Sequence, residues 1–172
     1  MRNKLFLLLA CIITVNLTFA QSEKQQINEL IDSWHLSAAQ ADYDAYFGKM
    51  TSDAVFIGTD ATENWQLEAF MTFSKPYFDK GKAWSFSAVE RNVYIDPSNQ
   101  LAWFDELLDT WMGICRGSGV VKQENDKWKI AHYVLSVTVP NDDMGQLIEI
   151  KKAKDSLQIL QLKSNTTTPT NE

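Results

Sequence analysis

From Trp84 to Val139 the chain runs as long β-patterned segments separated only by tight turns, which commits it to a large, mainly antiparallel sheet. Trp84, Phe86 and Ala88 share one strand parity, whereas Val89, Val93 and Ile95 take the other. That switch predicts a β-bulge near Ala88 and Val89, which bends the strand. Asp96-Pro97-Ser98-Asn99 reads as a turn. Leu101 to Met112 is apolar on both parities, as in a strand covered on both faces. Ile114 to Gln123, a turn at Glu124-Asn125-Asp126, and Trp128 to Val139 complete the meander.

The segment before the meander is helical. Ser22 followed by Gln25 reads as a capping box, after which Ile27, Leu30, Ile31, Trp34 and Ala38 fall on one stripe. Asp42 caps a second, short helix whose Tyr43, Tyr46, Phe47 and Met50 share a face. Ala54 to Gly58 is a short β-rich run that breaks at Gly58-Thr59-Asp60, and Trp65 to Ser74 returns to helical spacing. Pro76 is expected to start a separate turn that ends at Gly81. Beyond Pro140-Asn141, Ile150, Ala153, Leu157 and Leu160 predict a last helix over 142–163, too short for an independent coiled coil and so docked on the body or on a partner. Residues 164–172 have the composition of a disordered tail.

A length of 172 residues excludes a multidomain enzyme. The net charge of −6 opposes binding to nucleic acid or to anionic membranes. Arg2 and Lys4, the apolar run from Leu5 to Val15, and the small residues of Leu17-Thr18-Phe19-Ala20 read as a secretory signal over 1–20. The run is too short to span a membrane. Cleavage after Ala20 removes both cations and takes the charge from −6 to −8, leaving an exported protein, periplasmic or secreted, with no membrane attachment. Leu8-Leu9-Ala10-Cys11 is a poor lipidation box because Leu9 is large. With Cys11 gone, Cys115 has no disulfide partner and reads as a small buried hydrophobe.

Amphipathic helices followed by a bent meander form an α+β plan in which the sheet curls around the helices. Four segments carry a family likeness: Asp53-Ala54-Val55-Phe56-Ile57-Gly58-Thr59-Asp60, Ala102-Trp103-Phe104-Asp105-Glu106, Arg116-Gly117-Ser118-Gly119-Val120 and Trp128-Lys129-Ile130-Ala131. Together with the order of elements they resemble the SnoaL-like branch of the nuclear transport factor 2-like superfamily over Gln25 to Asn141. The resemblance implies a cone domain over 21–141 with an internal pocket, and a homodimer through the outer sheet face. The superfamily contains polyketide cyclases, a ketosteroid isomerase, dehydratases and members without chemistry, so fold does not choose the function.

Asp105 and Glu106 are adjacent in a strand, so the pleat sends one carboxylate to each face. Arg116 on the next strand is placed to hold the inward one, with Asp105 favoured because it shares parity with Trp103, and Arg91 is a second candidate cation. His132 shares parity with Trp128 and Ile130 and is a candidate acid or base, although core packing is the commoner role of a lone strand histidine. His35 is expected at the edge of the first helix's buried stripe. The candidate catalytic set is therefore Asp105, Glu106, Arg116 and His132. Trp34, Tyr46, Phe56, Trp65, Trp84, Phe104 and Tyr133 are candidates to line a pocket for an apolar ring, with about half expected to be ordinary packing. Trp65 stands out because it follows a loop at the rim. No metal-ligand spacing and no cofactor motif are present, and the glycines near Arg116 lack the context of a phosphate loop. Three readings follow: a module that binds a small, largely apolar molecule; a cofactor-free isomerase, dehydratase or cyclase using a pocket carboxylate; and a non-catalytic dimerisation module.

Overall fold

A computed structural model describes residues 23–98 and 100–166. The expected leader over 1–20, the expected cap at Ser22, Asn99, and residues 167–172 of the expected tail lie outside the described residues. Helix α1 spans 23–39, and its stripe of Ile27, Ile31, Trp34 and Ala38 is buried as the spacing requires. The short α2 (Tyr43–Phe47) starts at Asp42, whose carboxylate accepts the Ala45 N–H at 3.0 Å. Strands β1 (Met50–Ile57) and β2 (Asn64–Gln66) form a hairpin, and α3 (Leu67–Asp79) follows directly. Pro76 lies inside α3 and does not start a turn; the helix runs on to Asp79, and Gly81 (φ 68°) ends the turn that follows.

The meander consists of β3 (Ser87–Ile95), β4 (Leu101–Thr110), β5 (Gly113–Glu124) and β6 (Lys127–Val137). Strand order is β2-β1-β6-β5-β4-β3, all antiparallel except the parallel β1–β6 pair. The sheet is curved and unclosed, with helices packed against it, so the molecule has the α+β architecture that the element order predicts. The bulge lies where the parity switch puts it, since the β3–β4 register shifts between Ala88 and Glu90. Asn125 and Asp126 both have positive φ (52° and 60°), the conformation of a two-residue hairpin turn between β5 and β6.

Chain contacts divide the protein into two compact units after Val137. The second holds a 3-10 turn (Asn141–Asp143) and α4 (Met144–Thr166), which runs three residues beyond the predicted end at 163. Ile150, Leu157 and Leu160 on α4 are all exposed. Among the described residues no helix is long and apolar enough to cross a membrane.

Candidate functional site

Glu106 is the buried charge of the sheet's inner face, with 1% exposure. On β4 the inward parity is Ala102, Phe104, Glu106 and Leu108, so Asp105 is on the other face, where it accepts a 3.1 Å hydrogen bond from Asn92. Bulk misleads here: Trp103 is 46% exposed, and the small Ala102 is the core residue.

Three elements deliver donors to the Glu106 carboxylate. His35 Nε2 from α1 and the Tyr133 hydroxyl from β6 each lie 2.9 Å from Oε1. Arg91, directly opposite Glu106 in the β3–β4 register, donates from Nε to Oε2 at 2.9 Å. Its Nη2 lies 2.9 Å from the same oxygen but lacks hydrogen-bond alignment. Arg91 Nη1 reaches Asp32 at 2.7 Å and Asn28 at 3.3 Å. Asn28, Asp32 and His35, spaced four and three apart, thus form a polar seam on α1 beside its apolar stripe. Gly117 is required behind this cluster, because a Cβ there would lie 2.2 Å from the Tyr133 hydroxyl and 2.9 Å from Glu106 Oε1.

Burial pushes the Glu106 carboxyl upward, but the His35 hydrogen bond and the Arg91 charge outweigh it and hold the group below the usual carboxylate range. Burial and the adjacent Glu106 charge raise the Tyr133 hydroxyl well above 10.0. Glu106 is therefore an ionised acceptor with its donors in place. Such a carboxylate anchors α1 to β3, β4 and β6; to act as a base it would have to shed one of these bonds.

Arg116 and His132 do not join this cluster. Arg116 is exposed, in register with Leu107 and Ser136, so neither Asp105 nor Glu106 holds it. The β5–β6 register slips between Val120 and Val121, leaving Ala131 unpaired and switching the parity of β6. Ile130 and Tyr133 consequently both face inward, and His132 takes the opposite face, half-buried. Nothing in the apolar run on both sides of Ala131 signals that slip.

A cleft of about 160 Å³ opens in front of the cluster. Phe56, Trp65 and Trp84 line it, together with Phe70, Phe73, Phe86, Trp111 and Leu135, while Gly58, Thr59 and Glu63 supply the loop side. The remaining predicted pocket rings, Trp34, Tyr46, Phe104 and Tyr133, are packed in the core: Trp34 stacks on Tyr46 at 4.8 Å, and Phe104 lies 6.1 Å from Tyr133. Phe56 stacks on Tyr133 at 5.7 Å, and Phe86 lies 6.2 Å from His35, so the Glu106 cluster is one ring layer behind the cleft wall. Glu63, which sequence reasoning missed, comes to the cleft through the 58–63 loop; its Oε2 accepts the Asp60 N–H at 3.1 Å. Among the described residues no three His, Cys, Asp or Glu side chains converge as a metal site.

Residues 27–140 match the family model described as a SnoaL-like domain. An NTF2-like protein of unknown function from Pseudomonas putida is 14% identical over 71% of this chain and 90% of its own, with a TM-score of 0.58. The association domain of C. elegans CaMKII is 17% identical over 68% and 97%, with a TM-score of 0.56. An NTF-2 like protein of unknown function from Shewanella oneidensis is 16% identical over 66% and 98%, with a TM-score of 0.52. Identities this low show a shared fold and leave activity open. No curated protein matches.

Proposed function

Because the chain belongs to the SnoaL-like family of NTF2-like domains, whose members include both binders and enzymes, we propose that it binds a small, largely apolar molecule in the ring-walled cleft. The observation that carries this reading is the cleft itself: about 160 Å³ lined mainly by aromatic side chains, with the carboxylate one ring layer behind it already committed to internal donors. An apolar cavity of about 150 Å³ accepts a molecule the size of benzene. Proton-transfer chemistry at Glu106 is the weaker reading, since a base needs a free lone pair aimed at its substrate.

Titration with benzyl alcohol, followed by tryptophan fluorescence, tests the proposal. Saturable binding that weakens in Trp65→Ala and Trp84→Ala supports it, and no binding to the unaltered protein overturns it. The reading extends to address and assembly. The leader over 1–20 supports export, and mass spectrometry of the exported protein should find Gln21 at its N-terminus. Retention of Met1, or a lipid on Cys11, would contradict export of a freely soluble form. A homodimer through the outer sheet face is supported by the exposed rings of Tyr94 and Trp103, which stack at 5.8 Å.

A further inference from the structure

We infer that the ligand of the cleft is a small organic cation of the alkylammonium class, held over the aromatic faces with Glu63 as its counter-ion; this rests on the binding reading above. Aromatic rings present a negative face, so a wall built from them attracts a cation more than its neutral isostere. Trp65 stacks on Phe73 at 4.4 Å and on Phe70 at 5.7 Å, and Phe70, itself buried, stacks in turn on Trp84 at 5.8 Å, so the cleft backs onto one packed aromatic array. Glu63 is the charged residue among those lining the cleft; no Lys, Arg or His is among them.

The loop fixes that carboxylate. The Gly58 N–H donates to the Glu63 carbonyl at 2.9 Å, and Thr62 donates twice to Asp60, at 2.9 Å and 2.6 Å. A Cβ at position 58 would lie 2.2 Å from Glu63 Oε2, so the glycine is what lets the carboxylate fold over this turn. Oε2 is used by the Asp60 N–H, whereas among the described residues neither oxygen has an ion-pair partner. A neutral ligand would leave this charge uncompensated at the mouth, and an anion would be repelled by it. Trp111, at the tip of the β4–β5 hairpin, is 82% exposed while lining the same cleft. It offers a further ring to cover a cationic head. A net charge of −6 favours the approach of such a ligand.

The test compares choline with 3,3-dimethylbutan-1-ol, its neutral carbon isostere, on the full chain by calorimetric titration, with benzyl alcohol as a neutral ring probe. Choline is expected to bind roughly tenfold more tightly than the isostere. Glu63→Gln should remove most of that difference while leaving the isostere's affinity within about twofold, since the glutamine carbonyl still accepts the Asp60 N–H. Trp111→Leu, at an exposed position that folding does not need, should weaken choline severalfold and the isostere little. Equal affinity for choline and its isostere overturns the cation inference, and a cation preference that survives Glu63→Gln overturns Glu63 as the counter-ion, while binding of benzyl alcohol preserves the pocket in either case. Failure of benzyl alcohol to bind overturns the pocket reading as well.

Discussion

A carboxylate at 1% exposure survives in a core only when its hydrogen bonds and counter-charge outweigh desolvation, and Glu106 meets that condition through His35, Tyr133 and Arg91. Removing it strands the buried part of the Arg91 guanidinium, although Asp32 still holds Nη1. We expect Glu106→Leu to destabilise by about 3 kcal/mol in urea unfolding. Asp105→Asn should change stability by no more than about 0.5 kcal/mol. If Asp105 proves the costlier position, the assignment of faces on β4 is wrong. The pH dependence has a defined sign. The folded carboxyl titrates below its ordinary 4.5, so the stability it lends is present above that pH and is lost as pH falls through the folded value. The unaltered protein should therefore lose stability below pH 4.5 more steeply than Glu106→Gln. At the alkaline end, burial raises the Tyr46 and Tyr133 hydroxyls well above 10.0; their neutral forms stabilise the fold below that pH, and this is lost as pH rises through the folded values. Phenolate absorbance should show two of the five tyrosines ionising only as the protein unfolds. Ordinary titration of all five would contradict the buried placements.

At the scale of the element, legibility depended on whether a strand's two parities differ. At β3 they do: Val93 and Ile95 oppose Ala88 in the strand and Trp84 and Phe86 in the segment leading into it, so the bulge at Val89 is legible directly. In β6 Ile130, Tyr133, Val134 and Leu135 put apolar residues on both parities, so the slip at Ala131 leaves no trace in the sequence and strand parity alone puts His132 on the wrong face. In β4 the charges were the better guide than bulk, since Asp105 and Asp109 share the outward parity and Glu106 is the lone charge on the inward one. The Arg91–Glu106 pair needed the β3–β4 register, and Glu63 needed the fold of its loop; spacing along the chain encodes neither. Gly117 tests the inner face of β5. Its replacement by Ala drives a methyl into the Tyr133 hydroxyl and the Glu106 carboxylate, so thermal unfolding should show a loss of about 1–3 kcal/mol. Gly113→Ala meets no neighbour and suffers only its φ of 83°, which should cost roughly 1 kcal/mol. Near-neutral behaviour of Gly117→Ala would show that β5 or Tyr133 can retreat from the cluster.

For the whole molecule, the sheet's two faces explain why a long apolar strand such as β4 exists. The inner parity is filled by helices and by the Glu106 cluster, whereas the outer parity carries Leu101 (41% exposed), Trp103 (46%) and, across the register on β3, Tyr94 (44%). Trp103 is also in register with Val120, so the apolar row crosses three strands and ends at His132 on the fourth. Exposed rings stacked on one another in water mark a surface that favours cover. A second copy meeting this face through a two-fold axis supplies identical rings in return, and a specific interface of ordinary size buries about 800 Å² per partner. Light scattering at micromolar concentration should report a dimer, and Trp103→Asp together with Tyr94→Asp should convert it to a monomer that still binds benzyl alcohol. The exposed apolar residues of α4 offer a competing surface, so Leu157→Lys with Leu160→Lys is the necessary control. Dissociation by the α4 changes alone would move the interface to that helix, and a monomer before any substitution would leave the outer face as solvent-facing aromatic surface.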